Sequence, residues 1–129
     1  DSSLVSDVVA VGLPAEILGR RPAAPTLVYQ VRELIADLLT TGEPNIDTVA
    51  AALNMSSRTL ERRLRAEGLA YRQVLDELRR QLAERYLADK RLGLAQITYL
   101  LGYSEPTAFN RAFRRWTGAT PTQYRKSAA

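Results

Sequence analysis

The fold is decided by two stretches of similar sequence, Val49-Ala-Ala-Ala-Leu53-Asn54-Met55-Ser56 and Ile97-Thr-Tyr-Leu-Leu101-Gly102-Tyr103-Ser104. The two stretches match at an offset of 48 residues. Each contains, in order, a branched apolar residue, a second apolar residue, a turn residue, a third apolar residue and a serine. An apolar-x-Arg-x-apolar pattern then matches at an offset of 49, so the second copy contains one additional residue. A glycine closes each copy, at Gly68 and Gly118. This repeat predicts two copies of one supersecondary unit.

Each copy has the residues that a helix, a tight turn and a second helix require. The turn between two steeply crossing helices needs a residue at positive φ, which Gly102 adopts freely and Asn54 tolerates better than other side chains. Ser56 and Ser104 are expected to cap the helices that follow, and the residue before each serine to pack the turn into the core. A single helix-turn-helix pattern is weak evidence, because many helical hairpins resemble it. Two copies, both followed by arginine-rich helices, are much stronger evidence.

Helical periodicity continues through the chain from Thr26, which has the side chain of an N-cap. Apolar residues recur at three- and four-residue spacing, and no strand-length segment alternates with period two. We expect an all-α fold of about seven helices, in which two homeodomain-like helix-turn-helix units are joined by a long linker helix. The predicted bounds are a first helix from Thr26 to Gly42, a first unit at about 46–67, the linker helix at about 71–88, a second unit at about 94–117 and a short helix near Thr122.

The first part of the chain differs from the rest. Pro22 and Pro25 interrupt any helical pattern and indicate a linker. We therefore expect residues 1–25 to combine this linker with the end of an upstream domain, and residues 26–129 to form the folded domain. Because the first residue is Asp1 and not Met, we expect the chain to be a fragment of a longer protein.

Composition narrows the class of protein. The chain has 129 residues, enough for one domain with a real core, and its 46% apolar and 25% charged residues are an ordinary globular balance. Cysteine and histidine are both absent, which excludes disulfides, Cys/His zinc sites and catalysis by either residue. No apolar run approaches the roughly 18 residues of a membrane span, and no secretory signal is visible. We expect a cytoplasmic protein with no membrane partner, no metal and no cofactor.

The positive charge is concentrated in the second part of the chain. Residues 1–53 contain three basic and seven acidic side chains, whereas residues 54–129 contain fifteen basic and seven acidic. A segregated positive surface favours a polyanionic partner, because the release of counterions from phosphates drives association. Charge alone is explained equally well by an arginine-rich helical surface that is only solvated.

Two longer motifs match a known family. Residues 55–64 read Met-Ser-Ser-Arg-Thr-Leu-Glu-Arg-Arg-Leu, and residues 100–118 read Leu-Leu-Gly-Tyr-Ser-Glu-Pro-Thr-Ala-Phe-Asn-Arg-Ala-Phe-Arg-Arg-Trp-Thr-Gly. The second motif is followed by Thr120-Pro121-x-x-Tyr124-Arg125. With these motifs, the chain from about Val31 to Arg125 resembles the DNA-binding domain of the AraC/XylS family of bacterial transcription regulators.

The resemblance implies a seven-helix domain whose two recognition helices enter successive major grooves on one side of a duplex. Double-stranded promoter DNA is then the partner and RNA polymerase a candidate second partner, while a small-molecule effector acts only through an absent N-terminal domain. The chain departs from the family pattern at Gly93, where a Ser or Thr cap is usual, and at Gln96-Ile97-Thr98, which replaces Glu-Ile-Ala. Both departures are expected to loosen the start of the second unit.

The outward faces of the two recognition helices supply the candidate DNA contacts. An arginine can bond guanine O6 and N7, a carboxylate can accept from cytosine N4, and an asparagine can pair with adenine. The residues expected to face bases are Ser57, Arg58, Glu61, Arg62, Thr107, Asn110 and Arg111. The residues expected to contact phosphates are Ser56, Arg65, Ser104, Arg114, Arg115 and Arg125.

Several of these residues have an alternative role. Glu61 either accepts from a base or pairs with Arg65 four residues later. Arg111 either reaches a base or is held by an internal carboxylate. The remaining basic residues of the second unit either contact phosphates or are only solvated: Arg114, Arg115, Arg125 and Lys126. The aromatic stripe of the second recognition helix is expected in the core and not against bases: Phe109, Phe113 and Trp116.

Two other classes of function compete with DNA binding. An enzyme would need carboxylates, and the linker-helix region offers Asp76, Glu77, Glu84 and Asp89. Among so many arginines on a solvent face, these carboxylates are expected to form salt pairs, and no phosphate-binding glycine loop is present. We therefore expect no enzymatic activity. A helical protein–protein module is the second rival, and salt-dependent binding to duplex DNA distinguishes it.

Overall fold

A computed structural model describes residues 25–41 and 43–128. These residues form seven helices and no strand, so the predicted all-α fold is confirmed. The helices are α1 (Leu27–Leu38), α2 (Ile46–Ala52), α3 (Ser57–Ala66), α4 (Tyr71–Ala88), α5 (Leu94–Leu100), α6 (Pro106–Thr117) and α7 (Pro121–Ala128). Of the segment expected at residues 1–25, residues 1–24 lie outside the described residues. The helix stop predicted at Gly42 is wrong, because α1 ends at Leu38 with Leu39 as its C-cap.

The helix starts show which predicted caps form. The hydroxyl of Thr26 accepts from the amide of Tyr29 (3.2 Å), and that of Ser56 accepts from the amide of Thr59 (3.1 Å), so both predicted caps are confirmed. The cap predicted at Ser104 is wrong, because α6 begins at Pro106 and its N-cap position is one residue after the serine. The additional residue of the second copy thus lies between the turn and α6. Pro106 suits the first position of the helix, because proline has no backbone N–H that a cap would have to satisfy.

The turns have the backbone that the repeat predicts. Asn54 has a φ of 58° and Gly102 a φ of 82°, so the two turn residues occupy the same left-handed region. Gly68 and Gly118, at 77° and 84°, close the two copies in that region as well. The structure thereby confirms two helix-turn-helix units, α2–α3 and α5–α6.

The start of the second unit is better held than its departures from the family pattern predict. The side-chain oxygen of Gln96 accepts from the amide of Gly93 (3.0 Å), which satisfies one free donor at the start of α5. Thr98 is buried, and its hydroxyl donates to the carbonyl of Leu94 (2.7 Å). The larger residue is therefore accommodated without an unpaired polar group.

A single core runs through both units. The linker helix α4 packs against α1 on one side and against α5, α6 and α7 on the other. Phe109 and Phe113 are fully buried, as predicted, and the ring of Phe113 makes edge contacts with Trp116 and Tyr124. Trp116 is only half-buried at the edge of this cluster. Among the described residues, no helix has the length and hydropathy that crossing a bilayer requires.

Because Phe113 is more deeply buried than Trp116, the two substitutions to alanine should differ in their loss of unfolding free energy. Phe113→Ala should lower the free energy of unfolding by roughly 3–5 kcal/mol, the usual loss for a buried aromatic side chain. Trp116→Ala should cost less, because part of that ring is already in water. Chemical denaturation of the two variants measures both losses, and a larger loss for Trp116→Ala would contradict the observed packing.

Candidate nucleic-acid interface

Helix α3 presents three arginines on the side opposite its core contacts. Leu60 and Leu64 are fully buried. With successive residues about 100° apart around a helix, Arg58, Arg62 and Arg65 project away from that buried side. All three are exposed, and none has a hydrogen bond or ion pair with another described residue. Their guanidinium donors are therefore available to a ligand.

Glu61 lies at the flank of this arginine ridge. Its side chain is exposed, about a quarter turn from Leu60. Within the described part of the chain, no ion pair joins Glu61 to Arg65, so the alternative of a local salt pair is not realised. The carboxylate stands beside the arginines as a free acceptor.

Helix α6 repeats the same arrangement with different residues. Phe109 and Phe113 face the core, and the positions opposite them are held by Thr107, Arg111 and Arg114. These three are the counterparts of the α3 arginines at the offset of 49 residues. Arg111 is exposed and forms no ion pair with any carboxylate that the structure describes, so the internal partner considered for it is not observed.

Two further exposed side chains widen the second surface. Asn110 occupies the flank position that corresponds to Glu61, so an amide replaces a carboxylate there. Arg115 is exposed on the other side of the ridge. We call the positions 58, 62 and 65 with 107, 111 and 114 the paired ridges. They offer the same geometry twice, with three arginines on α3 and two on α6.

The three serines predicted to contact DNA differ in whether their hydroxyls already have hydrogen-bond partners. The hydroxyl of Ser57 donates to the carboxylate of Asp47 on α2, which ties the two helices of the first unit together. That of Ser56 caps α3 and donates to the hydroxyl of Thr59 (3.0 Å). Ser104 is exposed and has no side-chain hydrogen bond among the described residues. Only the last hydroxyl is unengaged, so contacts to a nucleic acid by the first two must compete with these bonds.

Arg125 has a structural role with which the predicted phosphate contact must compete. Its Nε donates to the carbonyl of Leu87 (3.0 Å), and its Nη2 donates to those of Asp89 (3.3 Å) and Leu92 (2.7 Å). The guanidinium thus points inward and satisfies carbonyls at the end of α4, where helical partners are missing. The residue fastens α7 to the junction between linker helix and second unit.

This role predicts a stability effect for Arg125 that its neighbour lacks. Arg125→Met should lower the free energy of unfolding by about 2 kcal/mol, because charged-donor hydrogen bonds to three carbonyls are lost. Lys126→Met, a matched removal of charge at an exposed position of the same helix, should change it by less than about 0.5 kcal/mol. Thermal or chemical unfolding compares the two. Equal stabilities would show that the inward bonds contribute nothing.

Three of the four carboxylates near the linker helix form the salt pairs that the sequence predicts, and Glu77 forms none among the described residues. Asp76 lies 3.2 Å from Arg72, Glu84 lies 3.5 Å from Arg80, and each pair is four residues apart on the helix. Asp89 lies 3.1 Å from Arg91, whose hydrogen bonds lower the pKa of that carboxyl. In the described residues no group of three or more potential metal-binding side chains comes together.

Sequence reasoning missed one charged residue that the structure buries beside the turn of the second unit. Arg79 on α4 is only 9% exposed, and its Nε donates to the carbonyl of Leu101 (3.0 Å) at the turn of the second unit. Burial lowers its pKa, an effect that the nearby Tyr103 opposes. The available signal was its position, since it follows Leu75 and precedes Ala83 by four residues on the apolar stripe of α4.

Comparison with known proteins agrees with this geometry. A sequence profile described as a helix-turn-helix domain matches residues 49–127. The HTH-type transcriptional regulator VirS of Mycobacterium tuberculosis is 49% identical over 104 residues, 81% of this chain and 31% of the relative. The chain belongs to the AraC/XylS family. Another relative, the ornithine utilization regulator of Pseudomonas aeruginosa, is 41% identical over 102 residues, 78% of this chain and 30% of the relative.

Solved AraC-family structures share the architecture. A DNA-binding transcriptional dual regulator of Escherichia coli K-12 superposes with a TM-score of 0.74 at 26% identity, covering 84% of this chain and 97% of that one. The DNA-binding domain of AdpA, solved in complex with a target DNA, superposes with a TM-score of 0.67 at 30% identity, covering 78% and 90%. The chain spans about 30% of the length of the two curated relatives, so it corresponds to one part of such regulators.

Proposed function

We propose that this chain binds double-stranded promoter DNA sequence-specifically as the DNA-binding domain of a transcription regulator, with α3 and α6 in successive major grooves. The observation that carries the proposal is the paired ridges, the exposed arginine-bearing faces of two equivalent recognition helices. Membership of a regulator family supports it, as does the DNA-bound structure of the AdpA domain. The same chemistry serves both tasks of such a site, since guanidinium groups bond base edges and phosphates.

The linker helix has a length that suits two grooves. Its 18 residues extend over about 27 Å at 1.5 Å per residue, and recognition helices one duplex turn apart are about 34 Å from each other. Packing offsets at the two ends of α4 account for the difference. One chain therefore carries both reading surfaces and binds as a monomer. Because the connection is a packed helix, the duplex must bend to present both grooves to it.

Roles within the site follow from position and chemistry. We assign base contacts to the first two positions and the flank of each ridge: Arg58, Arg62, Glu61, Thr107, Asn110 and Arg111. Phosphate contacts are assigned to the last position of each ridge, to its neighbour Arg115 and to the turn of the second unit: Arg65, Arg114, Arg115 and Ser104. The hydroxyls of Ser56 and Ser57 contribute less, because each is already engaged within the first unit. Pro106 offers no amide donor at the start of α6, so the second unit reads bases less sharply than the first.

The wider setting completes the proposal. The chain acts by binding and not by catalysis, in the cytoplasm, where the DNA of a bacterial cell lies. RNA polymerase stays a candidate second partner, and a small-molecule effector acts through a separate N-terminal domain. A protein–protein module is the competing function, and DNA-binding measurements separate the two.

The proposal predicts binding to duplex DNA that weakens steeply with salt. Each phosphate contact contributes a slope of about −0.9 to the logarithm of affinity against the logarithm of salt concentration. Selection from a random duplex pool, followed by binding measurements at two salt concentrations, should give one preferred two-part site bound by one chain. Salt-independent binding, no enrichment of any sequence, or two chains on the minimal site would contradict the proposal.

Substitution of Arg62 should alter base preference. Arg62→Ala should weaken binding to the selected site by about 1–3 kcal/mol and relax preference at one or two base pairs, if this arginine bonds a guanine edge. Arg63→Ala is the matched control, because Arg63 is exposed on the same helix but lies about 100° from Arg62, on the flank beside the buried leucines. That control should leave base preference unchanged. A uniform loss of affinity in Arg62→Ala would assign it to phosphate instead.

Substitutions on α6 should separate a phosphate contact from a base contact. Arg114→Ala should weaken binding to all sequences alike and reduce the salt slope by about one, as the loss of a phosphate contact does. Asn110→Ala should change base preference less than Arg62→Ala, because α6 offers fewer donors. A binding matrix of variants against selected sites measures both effects, and a reshaped preferred site in Asn110→Ala would reverse the ranking of the two units.

A further inference from the structure

The turn of the second unit lies against helix α1. A methyl group placed on Gly102 would lie 2.6 Å from the carbonyl oxygen of Leu39 and 3.4 Å from its carbonyl carbon. Leu39 caps the C-terminal end of α1, and α1 packs on α2 of the first unit and on α4. The turn of the second unit therefore meets the main chain of α1, which itself packs on the first unit, at a point where only glycine fits.

One side chain holds this turn from the linker helix. Besides its bond to the carbonyl of Leu101, the guanidinium of Arg79 lies over the ring of Tyr103, 4.5 Å from the ring centroid. Its Nη2 would lie 3.3 Å from a methyl group on Gly102. A buried guanidinium requires such partners, and an aromatic face attracts it. Arg79 thus bonds Leu101, lies over the ring of Tyr103 and borders the space beside Gly102.

The turn of the second unit also supports helix α6. The ring of Tyr103 stacks on that of Phe109, with centroids 6.0 Å apart, and tilts against that of Trp116 at 6.5 Å. Phe109 and Trp116 belong to the core-facing side of α6. The position of α6 relative to α1 and α4 therefore depends on where this turn sits.

We infer that Arg79 is a positioning residue that clamps the turn of the second unit against α1 and so fixes the spacing and helical phase at which α3 and α6 meet DNA. The inference rests on the proposed two-groove binding. Two linked binding modules gain most affinity when their separation matches their two sites, and the gain falls when the connection loosens. Each base pair inserted between the half-sites rotates them by about 35° and separates them by about 3.4 Å, so a clamped pair of units tolerates insertion poorly.

Two variants test the clamp from independent sides, and two more serve as comparisons. Arg79→Met keeps an apolar stem and removes the hydrogen bond and the charge. Gly102→Ala pushes the turn away from Leu39. Arg80→Met is the matched control, since Arg80 is the next residue on α4, is exposed and pairs only with Glu84. Arg79→Lys retains the charge without the planar group, so it should rescue little.

The readout is a set of duplexes made from the selected site. One carries only the first half-site, one carries both at the selected spacing, and others carry one or two inserted base pairs. In the wild-type chain and in Arg80→Met, insertion should lower affinity by more than about tenfold. In Arg79→Met and Gly102→Ala, affinity for the selected spacing should fall roughly tenfold, the insertion penalty should shrink below about threefold, and affinity for the first half-site alone should stay unchanged.

Each outcome of these binding measurements supports or contradicts the clamp. Melting curves identify a variant that fails to fold, and the other clamp variant then provides the comparison. A folded Arg79→Met or Gly102→Ala that keeps the wild-type insertion penalty overturns the clamp while leaving two-groove binding intact. A wild-type chain that ignores the second half-site overturns the proposed function, and the clamp with it. A loss of half-site affinity equal to the loss on the full site would show that Arg79 supports only stability.

Discussion

The constraint on which the structure depends is that neither helix-turn-helix unit can bury its apolar side alone. Two short helices leave one face uncovered, and a domain core needs a further layer to cover it. Helix α1 packs on α2 of the first unit, and the linker helix α4 packs on α1 and on both helices of the second unit. The first residue of α4, Tyr71, donates its hydroxyl to the carbonyl of Pro44, two residues before α2 (2.5 Å), and burial raises the pKa of that hydroxyl to about 12. The later turns of α4 pack on α5, α6 and α7.

A shared core changes the meaning of the basic charge. The fifteen basic residues after position 53 do not all form one binding surface, because several work inside the molecule. Arg79 and Arg125 bond main-chain carbonyls, and others neutralise carboxylates of the linker region: Arg72, Arg80 and Arg91. The arginines of the paired ridges have no hydrogen bond or ion pair among the described residues, and the same is true of Arg63 and Arg115, which flank them. The segregated charge of the sequence therefore resolves into an internal set and a surface set.

The sequence predicted the features that local chemistry controls. The bounds of α4 follow from apolar periodicity, and the turns at Asn54 and Gly102 follow from the φ angle that such turns require. It could not predict the role of Arg125, whose carbonyl partners lie more than thirty residues earlier and leave no local pattern. The cap at Ser104 failed for a related reason. The repeat revealed an additional residue in the second copy, but only the structure places it between turn and helix.

The additional residue and several substitutions on α6 make the two ridge-bearing helices unlike. Helix α3 is capped by Ser56 and starts with a hydroxyl bound to α2, whereas α6 starts at Pro106 without a side-chain cap. The ridge position of Arg58 is then Thr107, and the flank position of Glu61 is Asn110. On the proposed function, these units prefer different bases. A symmetric dimer of identical units reads a palindrome and has no direction along the duplex, but one chain with two unlike units recognises a site with a defined polarity. With the inferred clamp, the proposed function gives this domain a fixed orientation on its DNA.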